Sequence, residues 1–321
     1  MRADSIAAGL FCPVSAHCPN CVKSVPICCS LPLSARRHER SVESMAVLSV
    51  DLATRRWSDL GIVILDRVRA AHSRNRWETG PGLPLKPLFT TGSTPYPAEG
   101  LITCEILPWN DLGPVEPDAL AGRLNHLCAV RGIRMLMLDG PQAWKSRFNG
   151  LEHARVSEQQ LNTVAKTGLP GIIKPHTCRP FSEFCLDVYN SLCRRGWQRL
   201  ETREQPGSRQ ERVLVESYPC AAWKSLGLKP LPAKRRARIS DLAEAFAALG
   251  ALMPFTVNRP PNHDQLQAIV GGLPGLALEE RNTAGARIVG AAPRREEGLW
   301  REGFIVLPLP PTKPLDLRWL N

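Results

Sequence analysis

Ile133-Arg134-Met135-Leu136-Met137-Leu138-Asp139-Gly140-Pro141 decides the fold class. Its apolar run shows no alternation, is too short for a helix, and stops on an acid before a Gly-Pro turn. Such a run reads as a strand buried on both faces, as in sheets covered by helices. Two other segments repeat the pattern. Ala46-Val47-Leu48-Ser49-Val50 ends in Asp51, and Arg212-Val213-Leu214-Val215 ends in Glu216. Gly61–Leu65 is a further strand, close enough in sequence to pair with the first as a hairpin, and Leu101–Leu107 is another.

Between these strands the period changes. Pro117–Arg131 carries Leu120, Leu124, Leu127 and Val130 at helical spacing, with Glu116 and Asp118 where a helix dipole favours acids. Leu151–Lys166, Phe181–Arg195, Ala221–Leu226, Ser240–Leu252 and Pro261–Leu273 also read as helices, with Ser240-Asp241 as a cap. Trp77–Gly100 holds five prolines and reads as loop. Ala286–Gly290 and Gly303–Leu307 are strand-like pieces before a proline-rich end. Strands alternating with helices predict an α/β domain, and the opening hairpin makes its sheet mixed. Residues 45–321 are expected to form that one unit.

Composition narrows the classes. At 43% hydrophobic and 22% charged residues the chain is globular and not wholly disordered. No apolar run approaches the roughly 18 residues of a membrane helix, so no membrane partner is expected. Lys and Arg number 41 against 30 Asp and Glu, and the net +11 favours an anionic partner. Residues 1–44 differ from the rest. They hold Cys12, Cys18, Cys21, Cys28 and Cys29, with no sustained period. A secretory signal would need a longer apolar core than Ile6–Val14 and no Asp4 before it. A zinc knuckle could begin at Cys18 and Cys21, but adjacent Cys28 and Cys29 spoil its second half. The expectation is an unstructured extension, with Met45 as an alternative start. Six single cysteines beyond it suit reduced thiols and a cytoplasmic location.

The chemistry-bearing residues are the acids at the strand tips. In α/β sheets functional groups collect beyond the carboxyl ends of the strands. Asp51, Asp139 and Glu216, with Asp264 at a helix start, would form a carboxylate cluster whose members repel and raise one another's pKa. Divalent cations resolve that conflict, and an all-oxygen donor set favours Mg2+ or Mn2+. Two such ions would activate water and stabilise the leaving oxygen of a phosphodiester. Taken singly, each acid could equally cap a helix or open a turn.

These residues also carry a resemblance. Met45-Ala-Val-Leu-Ser-Val-Asp-Leu-Ala, Leu138-Asp-Gly-Pro-Gln-Ala-Trp, Val215-Glu-Ser-Tyr-Pro-Cys-Ala-Ala-Trp and Asn262-His-Asp-Gln-Leu-Gln-Ala resemble the motifs of the predicted ribonuclease-H-like nuclease family, a domain-of-unknown-function family. The resemblance runs from Met45 to about Leu307 and includes Gly150–Pro175. It implies a ribonuclease-H-like mixed five-stranded sheet flanked by helices, with a metal-dependent nuclease site. Asp51, Asp139, Glu216 and Asp264 match its acids. A second acid often found three residues after the last is Gln267 here, which points to a weaker or single-metal site.

Arg155 and Glu158, with Glu152 three residues earlier, share a helical face and could position a phosphate or form an ordinary ion-pair ladder. Lys234, Arg235 and Arg236 head the densest basic cluster, a site for nucleic-acid phosphates or a solvated loop. His263 could orient a water or be a plain surface residue. Lys174, His176 and Arg179 could line a groove. Trp144 and Trp223 could stack bases, although packing against the sheet suits them better. No nucleophile elbow, P-loop or dinucleotide fingerprint is present. The expected function is a metal-dependent nuclease acting on DNA or RNA. The rivals are a phosphotransferase and a non-catalytic nucleic-acid-binding module.

Overall fold

A computed structural model describes residues 45–68, 100–203 and 211–311. The amino-terminal extension, residues 77–99 of the proline-rich loop and the chain end past residue 311 lie outside the described residues. Strands β1 (Val47–Asp51), β2 (Gly61–Arg67), β3 (Ile102–Ile106) and β4 (Met135–Asp139) alternate with helix α1 (Pro117–Arg131). Helix α2 (Val156–Leu161), a small ribbon of β5 (Lys166–Thr167) and β6 (Ile173–Lys174), and helix α3 (Arg179–Arg194) follow. Then come β7 (Gln198–Arg199), β8 (Val213–Ser217), α4 (Pro219–Ser225), α5 (Ile239–Leu252), β9 (Phe255–Val257) and α6 (His263–Glu279). A hairpin of β10 (Ala286–Glu296) and β11 (Leu299–Pro308) completes the chain's regular structure.

The strands build one mixed sheet in the order β10-β11-β8-β4-β1-β2-β3-β9, with β7 also paired to β8. β1 is antiparallel to β2, as the hairpin reading expects, and parallel to β4, which is parallel to β8. Residue parity divides the core in two. Val47, Met135, Met137, Val213 and Val215 face α4, α5 and α6. Leu48, Val50, Leu136, Leu138 and Leu214 face α1 and α3. Both sides are apolar because both are covered, and this is why the central strands show no alternation.

Several expectations need correction. The sheet has nine strands, not five. The two strand-like pieces near the end are one long hairpin; the outer half of β10 carries its charges at mostly exposed positions, whereas Arg301 and Glu302 of β11 are buried, Glu302 accepting from the Ser146 and Val156 N–H groups. The 151–166 helix shrinks to Val156–Leu161, ended by Asn162 in the left-handed region at φ 48°. α6 runs six residues past Leu273, to Glu279. Pro274 costs it one backbone bond, but buried Leu276 and Leu278 hold the last turns. Arg238, not Ser240, caps α5, and Asp241 accepts a hydrogen bond from its backbone N–H. Among the described residues no helix is long and apolar enough to cross a membrane.

Candidate active site

β1 and β4 deliver the first two acids. Their parallel register pairs Val50 with Leu138, so Asp51 and Asp139 stand side by side one residue on, about 4.8 Å apart between strands. Parity sends both side chains to the α6 face. Each keeps part of its surface open to solvent. The carboxyls are nevertheless desolvated by their surroundings and hydrogen-bond to each other. Burial is the largest cause that holds Asp51 far above the usual carboxylate range, followed by the charges of Asp139 and Asp264. Burial likewise lifts Asp139 to about 7, with the Glu216 charge adding to it and the hydrogen bond with Asp51 opposing. A hydrogen bond between two carboxyls requires a proton, which the pair holds in common.

Gly61 brings in the third acid. It lies opposite Asp51 in the β1–β2 register, and a side chain there would put Cβ only 2.1 Å from the backbone oxygen of Asp264. The missing methyl lets the first turn of α6 rest on β2, beside the Asp51 carboxyl. The α6 cap is a reciprocal pair, with Asn262 accepting from the Gln265 N–H and Gln265 accepting from the Asn262 N–H. Asp264 is only 5% exposed. One of its oxygens pairs with the Lys234 ammonium, and the other lies 3.2 Å from His263 Nδ1. His263 Nε2 donates to the Pro232 carbonyl at 2.9 Å. Lys234 also donates to Asp59 Oδ1 at 3.0 Å.

Glu216 goes elsewhere. β4–β8 register pairs it with Leu138, and Ser217 takes the place beside Asp139. Glu216 thus shares parity with Leu214 and points to the α3 face. There Arg155 clamps it through two bonds, Nη1 to Oε2 at 2.7 Å and Nη2 to Oε1 at 2.6 Å. Arg155 Nε also donates to Glu158 Oε1 at 3.0 Å. Glu158 further accepts from the Thr167 hydroxyl and backbone N–H, and Glu216 from the Gln142 N–H. Burial pushes the Glu216 carboxyl up and the Arg155 charge pulls it back. Arg155 is 1% exposed and Glu158 2%. These residues brace the loop after β4 and cannot touch a substrate.

The remaining candidates divide similarly. Arg235 and Arg236 sit exposed on the turn that carries Lys234. Glu152 is exposed and pairs with His153; Lys174 and His176 are exposed, and Arg179 pairs with Glu183. Trp223 is fully buried and donates to Gln267 Oε1 at 2.8 Å, so it packs and Gln267 has a structural partner. Trp144 is partly exposed and bridges to Arg301. Sequence reading missed Asp59 and the pairing role of Lys234. Nothing local signals either, because Lys234 lies 30 residues from Asp264 and 175 from Asp59.

Among the described residues no three carboxylate, imidazole or thiol groups are already gathered around a common metal position. Asp264 has both oxygens engaged, one by Lys234 and the other by His263. Asp51 and Asp139 fit a divalent cation on other grounds. Two desolvated carboxyls in contact cannot both ionise without a cation, and their donors are all oxygen. Family models, curated proteins and solved structures give no match to this chain.

Proposed function

We propose that the chain is a metal-dependent phosphodiesterase of ribonuclease-H-like fold, acting on nucleic acid. The observation that carries this is the Asp51–Asp139 contact at the ends of two adjacent parallel strands, with Asp264 beside it. The five central strands β3-β2-β1-β4-β8, mixed and covered by helices on both faces, support the fold that the sequence motifs imply. Asp51 and Asp139 are the proposed ligands of Mg2+ or Mn2+, and Asp264 would join them if it gave up Lys234. A cation held there would activate water and offset charge on the phosphate. In this reading Glu216 is no longer a ligand; its charge, fixed by Arg155, raises the Asp139 carboxyl from behind. Lys234, Arg235 and Arg236 would meet backbone phosphates in this reading.

The test is cleavage of labelled DNA and RNA, single- and double-stranded, in Mn2+ or in chelator. Asp51→Asn and Asp139→Asn are each expected to remove metal-dependent cleavage and the rise in Tm on adding Mn2+. Cleavage that survives both substitutions sinks the reading. Binding of ATP–Mg2+ by calorimetry would move the site to phosphoryl transfer. Salt-dependent binding of nucleic acid, without cleavage or a Mn2+ effect on Tm, would make the chain a binding module.

A further inference from the structure

The β10–β11 hairpin, the carboxyl end of α3 and the segment after β4 line a half-open cavity of about 360 Å3, within the size range of small-molecule sites. None of the three clustered aspartates lines it. The hairpin closes on Glu297-Gly298, both at positive φ (53° and 76°), as a two-residue turn requires. Register then places Arg295 directly opposite Trp300, so the two side chains share a face. The Arg295 guanidinium lies 5.0 Å from the Trp300 ring centre. From β7, Arg199 reaches to 4.6 Å from the same ring. Arg199 is 2% exposed and donates to Cys193 Sγ at 2.9 Å and to Asn190 Oδ1 at 3.1 Å.

The lining joins two chemistries. Trp144 and Trp300 supply partly exposed indole rings. Arg194 and Arg295 supply guanidiniums, and no carboxylate lines the cavity. Arg194 lies 3.6 Å from Asp118, a loose surface pairing, and Arg295 has no ion pair among the described residues. Asn190 adds an amide. Flat aromatic surface suits a base and guanidiniums suit a phosphate.

We propose that this cavity binds a nucleoside phosphate, its base against the indoles and its phosphate between Arg194 and Arg295. The ligand is either a free nucleotide or the phosphorylated end of a strand. The inference rests on the cavity alone and stands whether or not the aspartates hold a metal.

Cys193 lines the cavity and offers a readout of occupancy; burial raises its thiol, so the reaction is run at about pH 9, at a rate first established without ligand. Alkylation of Cys193 by iodoacetamide, read by peptide mass spectrometry on the full chain in chelator, needs no turnover. Adenosine 5′-monophosphate at about 1 mM is expected to slow it by about fivefold or more, since occupancy denies access to the sulfur. Equal protection by a 5′-phosphorylated single-stranded DNA hexamer assigns the site to nucleotides in general. Protection by the hexamer alone assigns it to strand ends. Trp300→Leu is expected to abolish protection. Arg194→Ala, at an exposed position that leaves the fold intact, is expected to weaken it. The proposal is overturned if neither probe protects, if inorganic phosphate protects as well as the nucleotide, or if protection survives both substitutions. Since chelator silences metal-dependent cleavage, failure here leaves the nuclease reading untouched, and failure of that reading leaves this one standing.

Discussion

Asp51 and Asp139 on the α6 face and Glu216 on the α3 face all stand at the carboxyl ends of neighbouring strands, yet they meet opposite surroundings. Glu216 is 3% exposed and every approach to it is filled: two guanidinium bonds from Arg155 and one from a backbone N–H. Asp51 and Asp139 touch each other, keep some solvent contact, and share a proton. One residue of register separates the two outcomes. A strand tip that ends on odd parity with Met137 faces α6; one that ends on even parity with Leu214 faces α3. An acid matched by a buried arginine is structural, whereas the pair left in mutual conflict is the proposed place for a cation.

Arg155→Ala tests the structural half and should have the largest effect. It strands Glu216 and Glu158 in the core without their cation, a loss of about 3–5 kcal/mol. For a chain of this size that lowers Tm by roughly 10 °C, measurable by thermal unfolding. A shift of a degree or two would show that the clamp does not hold the α3 face together.

Asp139→Asn tests the other half and should act with the opposite sign. The Asp139 carboxyl is raised from 3.8 to about 7, so the folded state keeps a proton that the unfolded chain has lost. The Asp139 contribution to stability in chelator therefore falls as pH rises between about 4 and about 7 and then levels, while Asp51, also held up, continues the decline. The amide removes that loss. The variant should melt several degrees higher than wild type at about pH 8 and level with it at about pH 4. Equal shifts at both pH values would mean that proton retention is not what sets this pair apart.

Much of this contrast could be read from the sequence, but not all. Val47–Asp51 and Met135–Asp139 declare themselves as buried strands that end on acids, because a covered strand must be apolar and its tip need not be. The parity of Glu216 does not declare itself. Val213, Leu214 and Val215 are apolar on both sides, so the string has no alternation from which to tell the two faces apart. Only pairing with β4 shows that the acid comes one residue early. The Arg155–Glu158 spacing suggests a surface ladder on a long helix. In fact Arg155 ends an irregular segment whose neighbour, Val156, gives its N–H to Glu302 from β11, a contact 146 residues away. The hairpin's outer half was obscured by Arg294, Arg295, Glu296 and Glu297, charges tolerated because those positions lie beyond the core.

Gly61→Ala asks whether the aspartate cluster depends on close packing of α6. The new methyl meets the Asp264 carbonyl at 2.1 Å, against backbone that cannot rotate away. The helix start must shift, at a cost of about 1–3 kcal/mol. The expected signature is a lower Tm together with a reduced Tm rise on adding Mn2+. A lower Tm with the Mn2+ effect intact would remove Asp264 from the proposed ligands.

Lys234→Ala should have the smallest effect on folding and the most informative one on the proposed site. Its side chain is half exposed, so its pairs with Asp59 and Asp264 contribute less than about 1 kcal/mol. Its ammonium nevertheless occupies an Asp264 oxygen and lowers the Asp51 carboxyl against the larger upward pulls. Removing it leaves Asp264 with a free oxygen and makes the cluster one charge more negative. If the aspartates take up a divalent cation, Lys234 competes with it, and the variant should bind Mn2+ about tenfold tighter in calorimetry, a change of about 1.4 kcal/mol. That gain should appear even if cleavage is slowed by loss of a phosphate contact. Weaker Mn2+ binding would instead make Lys234 a support of the site. Unchanged binding in a folded variant would show that Asp264 already has its permanent partners, as Glu216 does, and takes no part in holding the cation.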